Sequence, residues 1–174
     1  KKLRGYASIN AQTAEALDTH SFATLIGVGA TTVNPYLALD SLYQRFEKKL
    51  FGKFGYDECI ERYIQSVNYG LLKIMSKMGI SVLSSYRGGC NFETVGLSRT
   101  IASEYFPGVL SKISGIGLSG IEKKLRIIHR QAFEINNLVL PIGGLYRYRK
   151  NGETHQYQGK LMHLLQSSVS SNSF

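Results

Sequence analysis

Apolar residues recur at every third or fourth place through the stretch 36–50, as Tyr36, Leu39, Tyr43, Phe46 and Leu50. That is the period of a helix with one buried face. Asn34-Pro35 stands before them. Asn can cap free N–H groups, and Pro suits a first helical position that has no N–H bond to make. Gly52 is the expected stop. A longer stripe follows from about Asp57, through Ile60, Ile64, Val67, Leu71, Ile74 and Met78, and Gly79 should end it. Upstream, SFATLIGVGA (21–30) predicts a helix that breaks at Gly27 and Gly29. ISVLSSY (80–86) is a short apolar run bounded by glycines, and it predicts a buried strand.

Ser119 and Glu122 have the spacing of a capping box before IEKKLRIIHRQAFEI, an amphipathic pattern with Ile121, Leu125, Ile128 and Ala132 on one face. VLSKIS, ahead of it, is a weak strand. After Pro141 the period changes. LYRYRKNGETHQYQ alternates about Asn151-Gly152, which predicts a β-hairpin near the C-terminus. The Ser-rich end, residues 167–174, is expected to be a disordered tail. There is no internal repeat, and helices mixed with short strands point to an α/β fold.

Composition narrows this picture only a little. A chain of 174 residues makes one domain or the parts of two, and 43% hydrophobic residues can supply a core. Eleven Tyr and eight Phe stand in for the absent Trp. Two cysteines, Cys59 and Cys90, make no disulfide framework. The basic start KKLR runs into GYASINAQ rather than an apolar stretch, so no secretory leader is expected. The apolar runs fall short of the ~20 residues that cross a bilayer. The expectation is a soluble protein in a reducing, cytoplasmic compartment. The first residue is not Met, as in a processed chain or a piece of something longer. A formal charge of +9 raises nucleic acid or another anionic partner as a reading. The basic residues are scattered over KKLR, RFEKK, EKKLR and YRYRK, which is also how a solvated face looks.

Four features could carry chemistry. Gly115, Gly117 and Gly120 fit G-x-G-x-x-G at a helix start, the pattern that brings backbone close to a pyrophosphate. No clear acidic residue follows at the usual distance, so a loop entering a helix is the competing reading. His20, His129, His155 and His163 show no metal spacing, and paired C-x-x-C ligands are absent. His155 falls in the hairpin and is expected to be exposed. The YRYR stretch could stack on RNA bases, or could equally be the alternation of a half-buried strand. Cys90 follows Arg87, Gly88 and Gly89. A nucleophilic cysteine needs a stabilised thiolate, and no histidine is near it in sequence. Arg87 could supply some stabilisation. The alternative is a small residue in a glycine turn.

Longer stretches resemble the glutamate synthase large chain. IGVGATTVNPYLAL (26–39) is similar to that family's I-G-Y-G-A-x-A-V/I-N-P-Y-L-A. LLKIMSKMGISVLSSYRGGCNFETVGLS (71–98) resembles its L-L-K-V-M-S/A-K-M-G-I-S block and the S-Y-K/R-G-A-Q segment beyond. YFPGVLSKISGIGLSGI (105–121) and GLYRYRKNGETHQYQGKLMHLLQ (144–166) resemble its later blocks. Order and spacing hold from about Leu3 to Gln166. The resemblance implies an enzyme that releases ammonia from glutamine, adds it to 2-oxoglutarate and reduces the imine to glutamate. It implies an amidotransferase domain, an α/β central domain, an FMN-binding (β/α)8 barrel with a 3Fe-4S cluster, and a β-helix.

By the same resemblance, residues 1–70 are the end of the central domain and residues 71–166 the junction and the start of the FMN-binding domain. The fold class expected is therefore the end of an α/β domain leading into a (β/α)8 barrel. The catalytic cysteine, the FMN- and 2-oxoglutarate-binding loops and the cluster ligands would lie outside this chain. No residue here is expected to be catalytic or to bind a cofactor or metal, and the expected partners are the remaining domains or split chains of the enzyme. Arg87, Gly88 and Glu93 are the candidate junction contacts, with an Arg87–Glu93 ion pair as the simpler reading. Departures from the family pattern include Cys90 for Gln, Gly89 for Ala, Leu17 for Arg, Ser21 for His and Gly159 for Pro. They fit a split gene, a decaying gene or an excised segment. A stand-alone basic module binding nucleic acid or another anionic partner is the alternative.

Overall fold

A computed structural model of the chain describes residues 5–133, 142–144 and 147–172. The backbone divides into two compact units, Lys1–Glu122 and Lys123–Phe174.

The first unit opens with β1 (Asn10–Gln12), α1 (Thr19–Gly27) and β2 (Thr32–Asn34). The strands pair in parallel, Asn10 opposite Thr32 and Gln12 opposite Asn34. A parallel pair needs a crossover, and α1 is that crossover. Asp18 starts α1 as its N-cap, accepting from the Ser21 amide at 2.9 Å.

Next comes α2 (Tyr36–Glu47). Its first helical residue is Tyr36, one later than expected, and no side chain caps it. It stops well before Gly52, because Lys49 already turns left-handed at φ 55°. The long stripe becomes α3 (Tyr56–Met78), ended by Gly79 at φ 71°, as the pattern predicts.

Residues 80–86 are not a strand. They make a bend and then one helical turn, α4 (Leu83–Tyr86). The run offers four apolar residues among three serines, but neither existing strand pair extends to it. A short apolar run reads the same as strand or helix, and tertiary context decides.

Then β3 (Glu93–Leu97), α5 (Arg99–Tyr105) and β4 (Leu110–Ile116) form a second parallel pair with a helical crossover. Ser98 caps α5, accepting from the Ile101 amide at 3.3 Å. The weak strand VLSKIS is thus a real one, and its ladder is irregular on either side of Val95. Beyond Gly117 the chain enters α6 (Leu118–Phe133). Ser119 lies inside this helix, so the expected capping box is not made. The Gly117 carbonyl instead accepts from the Ile121 amide at 3.0 Å.

The core sits where α1 and β2 meet α3 and α4. Ala23, Ile26, Met75 and Tyr86 form one buried cluster. Ala16, Phe22 and Val67 form a second. Val33 and Leu71 are half-buried and pack against both.

In the second unit the expected hairpin does not form: no described residue from 147 to 158 is in a strand. Leu145 and Tyr146, part of its first arm, lie outside the described residues, as does Pro141. The turn itself is present. Asn151 is left-handed at φ 64°, and the Gly152 amide donates to the Arg149 carbonyl at 3.0 Å. The Glu153 amide bonds the Gly143 carbonyl, which diverts the chain from pairing with its own turn. His155 is half-buried rather than exposed, 2.5 Å from the Gly144 carbonyl. Residues 167–171 of the expected tail lie in a helix. α7 (Gly159–Ser171) runs through the serines and ends at Asn172, left-handed at φ 51°. Ser171 closes it by donating to the Ser167 carbonyl at 2.7 Å. Among the described residues no helix is long and apolar enough to cross a membrane.

Candidate functional site

The turn 86–92 holds Cys90 and two of the candidate junction residues, Arg87 and Gly88, and it is anchored on the C-terminal end of α1. Tyr86 is buried and its Oη donates to the Ala23 carbonyl at 2.8 Å. The Gly88 amide donates to the Ile26 carbonyl at 3.2 Å. Phe92 lies over Gly27, where an added Cβ would come 2.7 Å from the ring. Burial raises the Tyr86 phenol above its ordinary value, since the charged form would lose its water. Gly88 sits at φ 71° and Cys90 at φ 51°, so two left-handed residues reverse the chain within three positions.

A cleft of about 600 Å³ opens beside this turn, with Arg87, Ser84, Cys90, Tyr105 and Pro107 among its walls. The Cys90 thiol is 3.8 Å from the Gly88 carbonyl. No histidine is among the residues lining the cleft. The arrangement therefore brings Arg87 and Cys90 together but provides no base to take a thiol proton.

The expected Arg87–Glu93 pair is not formed. Glu93 instead meets Lys112 at 2.8 Å, across from β3 to β4. Their strands pair at Glu93–Leu110, which puts Lys112 in reach, while Arg87 closes α4 ahead of the strand. Two of the three candidate junction residues thus do not pair with each other.

The glycine pattern at 115–120 also has a packing role. Gly115 lies so close to the backbone of Gly96 that no side chain fits, and an added Cβ at Gly120 would come 2.9 Å from the Ile116 side chain. The bare Cα atoms of both face protein rather than an open cradle. Among the described residues no three His, Cys, Asp or Glu gather as a metal site would need. His129 stacks on Phe133 with centroids 4.7 Å apart, and His155 meets Tyr148 edge-on.

The feature that sequence reasoning missed is an apolar groove of about 510 Å³. α3 contributes Ile60, Tyr63, Ile64, Val67, Asn68 and Leu71, α1 contributes Phe22 and Ile26, and Val33, Pro35 and Leu39 close the other side. Burial raises the Tyr63 phenol, and the nearby Asp18 carboxylate adds to it. The signal was in the sequence: four of the six residues in the α3 stripe line this groove, and Ile64 is left 49% exposed.

Comparison with known proteins gives the setting. Residues 1–98 match the family model of the glutamate synthase central domain. The chain is 52% identical over 172 residues to the glutamate synthase [NADPH] large chain of Azospirillum brasilense, covering 99% of this chain and 11% of that protein. It is 38% identical to the corresponding large chain of Bacillus subtilis (strain 168), over 100% of this chain and 11% of that one. It is 39% identical to ferredoxin-dependent glutamate synthase 1 of Arabidopsis thaliana, over 96% of this chain and again 11% of the relative. The chain thus spans about a ninth of the length of these relatives, and it belongs to the glutamate synthase family as a segment that carries central-domain sequence.

Proposed function

We propose that this chain is a structural segment of a glutamate synthase large chain, without catalysis of its own. The whole enzyme would transfer the amide nitrogen of glutamine to 2-oxoglutarate and reduce the product to glutamate. One observation carries the structural reading. Both strand pairs of the first unit are parallel and, among the described residues, two strands wide, and apolar side chains of β3 and β4 face water: Val95 is 64% exposed and Ile113 61%. Parallel sheets are found with both faces covered. Two-stranded ones are marginal by themselves. Such strands suit a larger sheet, and relatives about nine times longer have the chain to build it.

The central-domain match supports carrying that domain's end to residue 98. The passage toward the FMN-binding barrel would then occupy residues 99–166. The βαβ unit β3–α5–β4 is the kind of element from which a (β/α)8 barrel is built. The FMN and the 3Fe-4S cluster of the whole enzyme are assigned to segments outside this chain. Iron–sulfur clusters are held by sets of cysteine thiolates. The chain has two cysteines, one buried in α3 and one in the turn 86–92, and these do not make such a set. Its partners would be the remaining domains of the enzyme, whether on one polypeptide or several.

The test is replacement. The matched segment of the Azospirillum brasilense large chain is exchanged for this chain, and glutamate formation is measured. A folded, active hybrid supports the structural assignment. A hybrid that fails to fold, while the unaltered relative does, overturns it.

A further inference from the structure

We infer that the groove walled by α3, α1 and the β2 segment is the seat of an amphipathic helix from the remainder of the glutamate synthase chain. The inference rests on the structural reading above and adds to it the place and the chemistry of the contact. Val33 and Leu71 belong to the packing of both buried clusters and also line the groove. The groove therefore opens directly onto the core, and water there touches side chains whose other faces are packed. An occupant that presents apolar side chains completes that core.

The groove lies over the side of β2 that carries Val33 and is flanked by helices, and a sheet face is covered by helices. A helix laid in an apolar groove contacts it at every third or fourth residue, and the row Ile60, Ile64, Val67, Leu71 offers the matching spacing. Asn34 and Asn68, both exposed, also line it. The docking helix is accordingly apolar along one stripe and carries a polar group at its border. The relatives supply the source: the chain covers 11% of their length, so most of the polypeptide that could dock lies outside it.

Ile64 is the test position, because it is 49% exposed on the groove wall and contributes little to the fold of the chain alone. The chain by itself and the hybrid large chain are compared by hydroxyl-radical footprinting of residues 60–71. The expected result is oxidation at Ile64 in the chain alone and protection in the hybrid. Ile64→Asp is expected to leave the helical circular dichroism of the chain alone unchanged. In the hybrid it should restore oxidation along the groove and lower glutamate formation by about 10²-fold, the scale of a small misplacement far from the chemistry. Tyr69→Asp, on the same helix but 73% exposed and outside the groove, should do neither. Equal oxidation of Ile64 in the folded hybrid overturns the inference and leaves the structural assignment standing. So does a dimer of the chain alone that Ile64→Asp dissociates, because the occupant is then a second copy. A hybrid that does not fold overturns both.

Discussion

Tyr86 reaches from the end of α4 to the carbonyl of Ala23 in α1, a bond of 2.8 Å between residues 63 apart in sequence. The phenol is buried, and its ring belongs to the same cluster as Ala23, Ile26 and Met75. This one side chain therefore ties the turn that bears Arg87 and Cys90 to the βαβ unit ahead of it. Tyr86→Phe keeps the ring and removes the bond. The expected loss is about 1 kcal/mol of stability, the usual net worth of such a hydrogen bond. Urea denaturation of the wild type and the variant would measure it. An unchanged midpoint would mean that the hydroxyl is replaced by water at no cost.

Gly27 makes the complementary contact. The Phe92 ring occupies the space that a side chain at 27 would need. Gly27→Val should destabilise the chain by about 1–3 kcal/mol, the range for overpacking a core. Because the obstacle is the far edge of one ring, Phe92→Ala should recover part of that loss in the double variant. A double-mutant cycle separates this from a backbone effect, since a purely additive result would exclude the steric account.

The helix α3 was legible because its stripe is long, ends in a left-handed glycine and needs no partner to be recognised. α4 was not, since ISVLSSY has the composition of a strand and only the bond from Tyr86 to α1 explains why it turns instead. The hairpin signal at Asn151-Gly152 was correct about the turn and wrong about its arms. Strand pairing depends on neighbours, and the Glu153 amide was taken by Gly143. The pair Arg87–Glu93 failed for a similar reason: nearness in sequence does not place two side chains on facing elements, whereas the β3–β4 register does so for Glu93 and Lys112. The groove escaped notice because a stripe reads alike whether its partner is present or not.

That Glu93–Lys112 pair should itself contribute little. Both side chains are about half exposed or more, and exposed pairs are worth about 0–1 kcal/mol. Lys112→Ala should move the urea midpoint only slightly, and less still at high salt, where the charges are screened. A large, salt-independent loss would show that Lys112 acts through the packing of its stem on β4.

Alkaline pH should weaken the fold. The phenols of Tyr63 and Tyr86 are raised above the ordinary value of 10.0, first by burial and, for Tyr63, also by Asp18. With folded values above the unfolded one, the native state holds more protons than the unfolded state through that window. Stability is then fully present below pH 10 and is lost as the pH rises through the folded values. Thermal melts between neutral pH and the region above 10 should show this decline, and Tyr86→Phe should make it shallower. A melting temperature that is flat across this range would contradict the burial of both rings.

Cys90 gives the last prediction. Its φ of 51° is the left-handed conformation, which costs an L-residue about 1–2 kcal/mol and a glycine almost nothing. The flexibility that glycine adds to the unfolded chain offsets about 0.5–1 kcal/mol of that. Cys90→Gly should therefore stabilise the chain slightly, by about 0.5–1 kcal/mol, despite removing the one thiol in the cleft. In the hybrid large chain the same variant should leave glutamate formation unchanged, because the cleft offers the thiol no histidine to act as base. Loss of activity without loss of stability would give Cys90 a chemical role. Loss of stability would mean that its contact with the Gly88 carbonyl, at 3.8 Å, holds the turn more firmly than backbone geometry alone.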